Sequence, residues 1–215
     1  MKSFMKFFVP ALKCSLIMGV LCCIIYPGIL TLAGQALFPK QANGNLIEVE
    51  MNGETVTVGS ELVGQQFSDP KFFHGRVSSV NYNTYTEAEK EDSTYGGVSS
   101  GSFNYGNSNP DLKARVEEDL ASWMEAHPGI KQEDIPSDLL TASGSGLDPE
   151  ITPQAAEVQV PAVAAASGLS EDEVRQIVAD NTHGKVLGIF GENRVNVLRC
   201  NLDIAEKLGM LTQLD

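Results

Sequence analysis

The chain has 215 residues, 42% of them apolar and 20% charged, and its 28 Asp and Glu outnumber 15 Lys and Arg for a net charge of −13. This composition excludes a disordered chain, a collagen and a polytopic transporter. Lys2, Lys6 and Lys13 lie in the first 13 residues, where there are no acids, so the rest carries −16. A body that acidic repels phosphate backbones, which excludes nucleic acid as a natural partner, and it is repelled by anionic lipid as well.

From Cys14 to Pro39 there are 26 residues without a charged side chain, more than the roughly 20 that a membrane span needs. The reading is a cytoplasmic N-terminus over residues 1–6, a transmembrane helix over 7–33 and an extracytoplasmic domain over 34–215, oriented by the basic flank. A cleaved signal peptide, with Thr31 and Ala33 before the cut, is the alternative; the apolar stretch is long for one. A lipoprotein at Cys22 is disfavoured by the bulk of Leu21. Ser15, Gly19 and Cys23 recur at four-residue spacing, which places three small side chains on one helix face and lets another helix approach closely. Pro27-Gly28 is expected to kink or loosen the helix. Cys200 is the only cysteine beyond this segment, so no disulfide forms within the body, and no C-x-x-C pair offers zinc or redox chemistry.

In the body, Leu46–Met51 alternates apolar and polar, Asn52-Gly53 follows, and Thr55–Val58 alternates again, which predicts a hairpin. Gly59 to Gln66 reads as a turn entering a short helix, and Phe72 and Phe73 supply core. Residues 83–108 read as a flexible acidic loop (Glu87, Glu89, Glu91, Asp92) feeding a Gly/Ser loop. Asn109-Pro110 opens a helix with the stripe Leu112, Val116, Leu120 and Trp123, closed by His127-Pro128-Gly129. Pro136 to Pro149 is a loop. Thr152-Pro153 starts an Ala-rich helix interrupted by Pro161 and closed by Gly168. Ser170 and Glu173 form a capping box for the next helix, with Val174, Ile177 and Val178 inward. Val195 to Leu202 reads as a strand, followed by a short helix from Asp203. The fold class is α+β: one mixed helix/strand domain on a single N-terminal transmembrane helix.

Chemistry is sparse. Ser99, Ser100, Ser102, Ser143 and Ser145 sit in Gly/Ser loops without a nucleophile elbow. With Lys71, Lys113 or Lys185 as base they leave a membrane-anchored Ser-type hydrolase as the alternative function. His74, His127 and His183 form no local cluster, the acids lack a calcium-loop pattern, and no glycine loop suits a phosphate. No catalytic and no metal-ligating residue is assigned. The residues alone describe an anchored acidic domain that suits an accessory subunit better than an enzyme.

Several blocks resemble one family, the C subunit (KdpC) of the Kdp-type potassium-transporting P-type ATPase. They are Tyr26-Pro27, Thr31 and Gln35 with the run Leu37–Leu46; Gly59–Phe67 with Pro70, Phe73 and Arg76; Asn104, Gly106 and Asn109-Pro110; the long run Pro136–Val160; Gly168–Ser170; and Arg194–Leu198 with Asn201-Leu202. The sequence departs from the family pattern at Val77, at Ser102 and Phe103, and in an acidic insertion around 83–95. The resemblance implies a bacterial inner-membrane complex with three partners: a channel-like potassium-binding subunit, a P-type ATPase subunit and a small membrane subunit. ATP and potassium would be handled by that complex, and no cofactor is assigned to this chain. The family's Asp-Lys-Thr-Gly phosphorylation site belongs to the pump subunit and is absent here. The family is described as an assembly factor and as a catalytic chaperone raising ATP affinity. With the body outside, that effect has to pass through membrane-helix contacts. Ser15, Gly19 and Cys23 are the candidate packing face. Ser143, Ser145 and Asp148, in the run TASGSGLDP, are the candidate partner contacts.

Overall fold

The computed structural model of the chain describes residues 2–92, 94 and 96–214. Met1, at the head of the expected cytoplasmic segment, Ser93 and Tyr95 of the expected acidic loop, and Asp215 lie outside the described residues. The chain forms two compact units, Met1–Leu46 and Ile47–Asp215.

In the first unit, helices α1 (Lys2–Val20) and α2 (Tyr26–Leu37) are joined by a π-helical turn, Leu21–Ile25. Together they give a helix, Phe4–Leu37, long and apolar enough to cross a membrane. Pro27 has no N–H, so the Cys23 carbonyl loses its helical partner. The preceding turn widens, and the Tyr26 N–H donates five residues back to Leu21. The disturbance expected at Pro27-Gly28 therefore lies one turn earlier, and the helix continues through it. A one-turn helix, α3 (Pro39–Ala42), follows, tied to α2 by paired Gln35 and Asn43 side-chain amides at 3.1 and 3.3 Å.

The second unit holds two three-stranded antiparallel sheets. In the first, β1 (Leu46–Met51) lies between β2 (Glu54–Ser60) and the C-terminal β6 (Thr212–Gln213). The turn is as predicted: Asn52 and Gly53 both have positive φ, 54° and 82°. In the second sheet, β5 (Arg194–Asn196) lies between β3 (Glu150–Ile151) and β4 (Thr182–His183). Around the sheets run α4 (Glu87–Glu91), α5 (Pro110–Ala126), α6 (Ser137–Leu140), α7 (Pro153–Glu157), α8 (Val160–Ser167), α9 (Glu171–Asp180) and α10 (Val197–Lys207). The expected caps form. Asn109 accepts from the Asp111 N–H, Thr152 accepts from the Ala155 N–H, Gly168 closes α8 at φ 80°, and Ser170 and Glu173 make their capping box. The α5 stripe is half-buried, and its C-terminal end stacks Trp123 on His127, with ring centroids 3.7 Å apart.

Several expectations are corrected; Pro136–Pro149, expected as a loop throughout, opens with the one-turn helix α6. Val195–Leu202 is not a strand: β5 ends at Asn196, whose side chain caps α10 by accepting from the Arg199 N–H at 3.0 Å. Helix α10 is buried on two faces. Val197, Cys200 and Ile204 join the main core, and Leu198 and Leu202 pack against Ile47 and Val49 of β1. The alternation Val195-Asn196-Val197 reads as strand, but from Val197 on the buried residues recur at helical spacing, Val197, Asn201 and Ile204 beside Leu198, Leu202 and Ala205. The expected helix from Asp203 is only its second half, and the chain then ends in β6. Residues 59–66 form no helix: Gly59 and Ser60 extend β2, the Gln65 side chain turns back to the Val58 carbonyl at 2.7 Å, and the Gly64 N–H donates to the distant Leu147 carbonyl at 2.8 Å. Within the expected acidic loop, Thr86 and Glu89 make a second capping box that starts α4.

Candidate functional site

The run Thr141–Pro149 is fixed on several sides. Ser143 is 1% exposed; its N–H donates to the Val77 carbonyl at 3.0 Å and its hydroxyl accepts from the Gly146 N–H at 2.8 Å. Ser145 is exposed, while its carbonyl accepts from the Gly101 N–H at 2.8 Å and the Ser100 hydroxyl at 3.0 Å. Asp148 is half-buried; it accepts from Arg76 Nη1 at 3.0 Å and from the Glu150 N–H at 3.1 Å. The Pro149 carbonyl accepts from the Val197 N–H at 3.0 Å. The three sequence-selected residues thus share one loop but not one surface. Ser143 faces inward, Asp148 is engaged by Arg76, and Ser145 presents its side chain outward.

A left-handed turn braces this loop. Asn81, Tyr82 and Asn83 have φ of 48°, 50° and 55°, a conformation that costs roughly 1–2 kcal/mol per residue. Compensating bonds hold it. The Ser78 hydroxyl accepts from the Tyr82 N–H at 2.9 Å and donates to the Gly146 carbonyl at 2.6 Å, and the Tyr82 hydroxyl donates to the Arg76 carbonyl at 2.7 Å. The Asn83 amide pairs with Ser99 through 2.9 and 3.0 Å bonds. Burial pushes the Tyr82 phenol up to about 12, with the Asp148 charge adding to it, so it stays a donor. The Gly/Ser stretch at 99–101 is therefore strapped to this turn and to Ser145.

Beside the loop lies a cleft of about 310 Å³ whose lining includes Arg76, Asp138, Asp148, Glu150, Glu192 and Arg194. Both guanidinium groups are paired within it, Arg76 with Asp148 and Arg194 with Glu150 at 2.7 Å. Four carboxylates face these two cations and Lys185, which pairs with Glu192, so the rim keeps a small net negative charge. The three lysines considered as bases each pair with an acid, Lys71 with Asp69 at 3.6 Å, Lys113 with Glu117 at 3.7 Å and Lys185 with Glu192 at 3.2 Å. Cys200 is fully buried, and burial pushes its thiol up, away from thiolate reactivity.

The fold draws together two histidines that are distant in sequence. Burial lowers the His74 pKa and the nearby His127 adds to this, against a hydrogen bond to the Phe67 carbonyl. Among the described residues no group of three His, Cys, Asp or Glu is placed to hold a metal. Because the folded value lies below the ordinary 6.5, the unfolded chain binds more protons between the two values. Stability present above pH 6.5 is then lost as pH falls toward the folded value. Wild type should lose thermal stability as the pH falls from about 6.5 toward the folded value, and His74→Gln should flatten that fall. Parallel curves would refute this role. The capping carboxylates Glu89 and Glu173, with pKa values lowered from 4.5 by their caps, act below this window.

Two residues that the sequence reading placed only within blocks of family resemblance, with no role of their own, hold a backbone segment in position. Asn201 and Gln159 are 2% and 0% exposed. Asn201 accepts from the Phe73 N–H at 2.7 Å and donates to the Phe73 carbonyl at 2.9 Å. Gln159 does the same for His74, at 2.8 and 3.3 Å. Side-chain amides thus replace a neighbouring strand for the segment leading to Arg76. Besides that resemblance, the local signal is an amide among apolar neighbours, within α10 for Asn201 and in the turn before α8 for Gln159.

In the membrane-length helix, Ser15 and Cys23 are exposed and no atom lies within 4 Å of where a Gly19 Cβ would sit. Cys23 falls in the π turn. More residues per revolution there offset the drift that a four-residue step accumulates in a 3.6-residue helix, which favours alignment of the three.

The profile of a family described as "KdpC: K+-transporting ATPase, c chain" matches residues 8–206. The "Potassium-transporting ATPase KdpC subunit" of Clostridioides difficile (strain 630) is 54% identical over 212 residues, covering 96% of this chain and 100% of that one. The protein of the same description from Clostridium kluyveri is 50% identical over 213 residues, covering 99% and 100%. That of Bacillus cereus (strain Q1) is 42% identical over 199 residues, covering 93% and 95%.

Proposed function

We propose, from the premise that this chain belongs to the KdpC family of K+-transporting ATPase c chains, that it is a non-catalytic accessory subunit of a high-affinity, ATP-driven potassium uptake complex. The observation that carries the reading is the family match, which runs from inside the membrane-length helix to α10. The helix anchors the chain in the bacterial inner membrane with its N-terminus cytoplasmic, and packs on partner helices through Ser15, Gly19 and Cys23. The acidic domain stands outside and enriches cations at the potassium entrance of the channel-like subunit, an effect that salt screens. ATP is hydrolysed by the P-type subunit. Any gain in its ATP affinity is a coupling of about 1–3 kcal/mol passed through helix contacts, the small membrane subunit included. Ser145 and Asp148 mark the partner side of the domain, and the buried Ser143 shapes the loop that presents them.

The test is potassium-stimulated ATPase activity of the other subunits purified with this chain, without it, and with Gly19→Ile. Activity or assembly should be lost without the chain. Gly19→Ile should weaken co-purification about tenfold, because a branched side chain separates the helices. Full activity and an intact complex without the chain would refute an obligatory role. Unchanged co-purification of Gly19→Ile would discard the packing face alone.

A further inference from the structure

Between β4 and β5 the chain extends a hairpin whose Val186 and Phe190 bridge through bonds of 2.8 and 3.0 Å, closed at its base by the Lys185–Glu192 ion pair. Val186, Leu187, Ile189 and Phe190 are 58%, 84%, 75% and 64% exposed. Such a cluster offers on the order of 400–500 Å² of apolar surface, the size of the largest patch on a monomer, which is often functional. At the tip, Leu187 and Gly188 both have positive φ, 54° and 74°. Asn or Gly would suit the first of these positions; leucine there costs about 1 kcal/mol or more. The backbone thus bears strain in order to hold a large apolar side chain in solvent, which points to function.

We infer that this hairpin docks the domain onto another subunit of the same ATPase, inserting Leu187, Ile189 and Phe190 into an apolar groove flanked by basic side chains. The inference rests on the accessory-subunit reading and names the surface that it uses. The basic flank follows from charge. Gly191, Glu192 and Arg194, at the hairpin's base, line the same net-negative cleft as Asp148 and Glu150, so apolar tip and acidic rim form one continuous surface. The same charge disfavours a lipid surface, since a body of −16 is repelled by anionic headgroups and the hairpin's one lysine is paired. A second copy is disfavoured by area, because hairpin against hairpin gives each partner about half of the roughly 800 Å² of a standard interface.

The experiment compares the full chain with Leu187→Asn and with Leu187→Asn/Phe190→Ser, each co-expressed with the other ATPase subunits. Retention should fall at least about tenfold in the double variant. The thermal midpoint of either purified chain should stay within about 2 °C of wild type or rise, since asparagine relieves the left-handed strain. Equal retention of wild type and variants would overturn the hairpin proposal while leaving the accessory reading intact. Failure of the wild-type chain to co-purify would overturn both. A fluorophore at Ile189→Cys, in chains whose exposed Cys14, Cys22 and Cys23 are replaced by alanine and whose buried Cys200 is kept, should blue-shift only in the assembled complex. A blue shift of the lone chain in phosphatidylglycerol vesicles would assign the hairpin to lipid and overturn the proposal.

Discussion

Asn201→Leu should destabilise the Ile47–Asp215 unit by about 3–5 kcal/mol, one of the largest single-residue effects in the chain. The side chain is 2% exposed and holds both polar groups of the Phe73 backbone, at 2.7 and 2.9 Å. Leucine fills similar space but leaves a buried N–H and a buried carbonyl unpaired, each at a cost of roughly 1–3 kcal/mol. In a unit of this size the thermal midpoint should fall by about 10 °C, read by circular dichroism. Gln159→Leu should act in the same way on His74. The double variant should cost less than the sum, because releasing Phe73 already frees the residue beside it. A midpoint within about 2 °C of wild type for Asn201→Leu would show that the amide does not carry the segment.

These two amides also mark where sequence reading stops. The hairpin at Asn52-Gly53, the capping box at Ser170 and Glu173, and the Pro-started helices at Pro110 and Pro153 were legible because each is decided by a few neighbouring residues. The membrane-length helix was legible from the run of uncharged residues after Lys13. Residues 59–66 make no helix because the Gly64 N–H finds its bond at a distance, on Leu147. Helix α10 carried its own local signal, Leu198, Leu202 and Ala205 at helical spacing, but the alternation Val195-Asn196-Val197 at its start reads as strand. The candidate loop was found through its resemblance to relatives. Its mechanics, with Ser143 inward, Ser145 outward and Asp148 on Arg76, depend on contacts with residues 64, 76–83 and 99–101 that no local pattern announces. The apolar hairpin at Val186–Phe190 lay in plain view in the sequence, but exposure cannot be read from hydrophobicity, and a buried strand reads the same way.

Alanine at Gly64 and at Gly146 should each cost about 3 kcal/mol or more, while Gly144→Ala, in the same loop, should be neutral to about 1 kcal/mol stabilising. A Cβ at Gly64 would lie 2.4 Å from the Asp148 carbonyl oxygen and 2.6 Å from Tyr82 Cε1. The first of these is backbone and cannot step aside. At Gly146, φ is +68° and a Cβ would lie 2.7 Å from Val80 and 2.9 Å from the Gly101 carbonyl oxygen, so conformational strain adds to the clash. Nothing lies within 4 Å of a Cβ at Gly144, and its φ is not positive. Denaturant unfolding of the three variants measures this order, and equal midpoints would refute it. The same set separates the two roles open to the loop. If it acts only as a rigid positioner, loss of assembly should follow loss of stability, with Gly64→Ala and Gly146→Ala defective and Gly144→Ala normal. If a partner touches it, Gly144→Ala should weaken assembly at full stability, because that position is exposed and open, and Ser145→Ala should weaken assembly by more than the loss of its exposed 3.0 Å bond from the Leu147 N–H costs in stability.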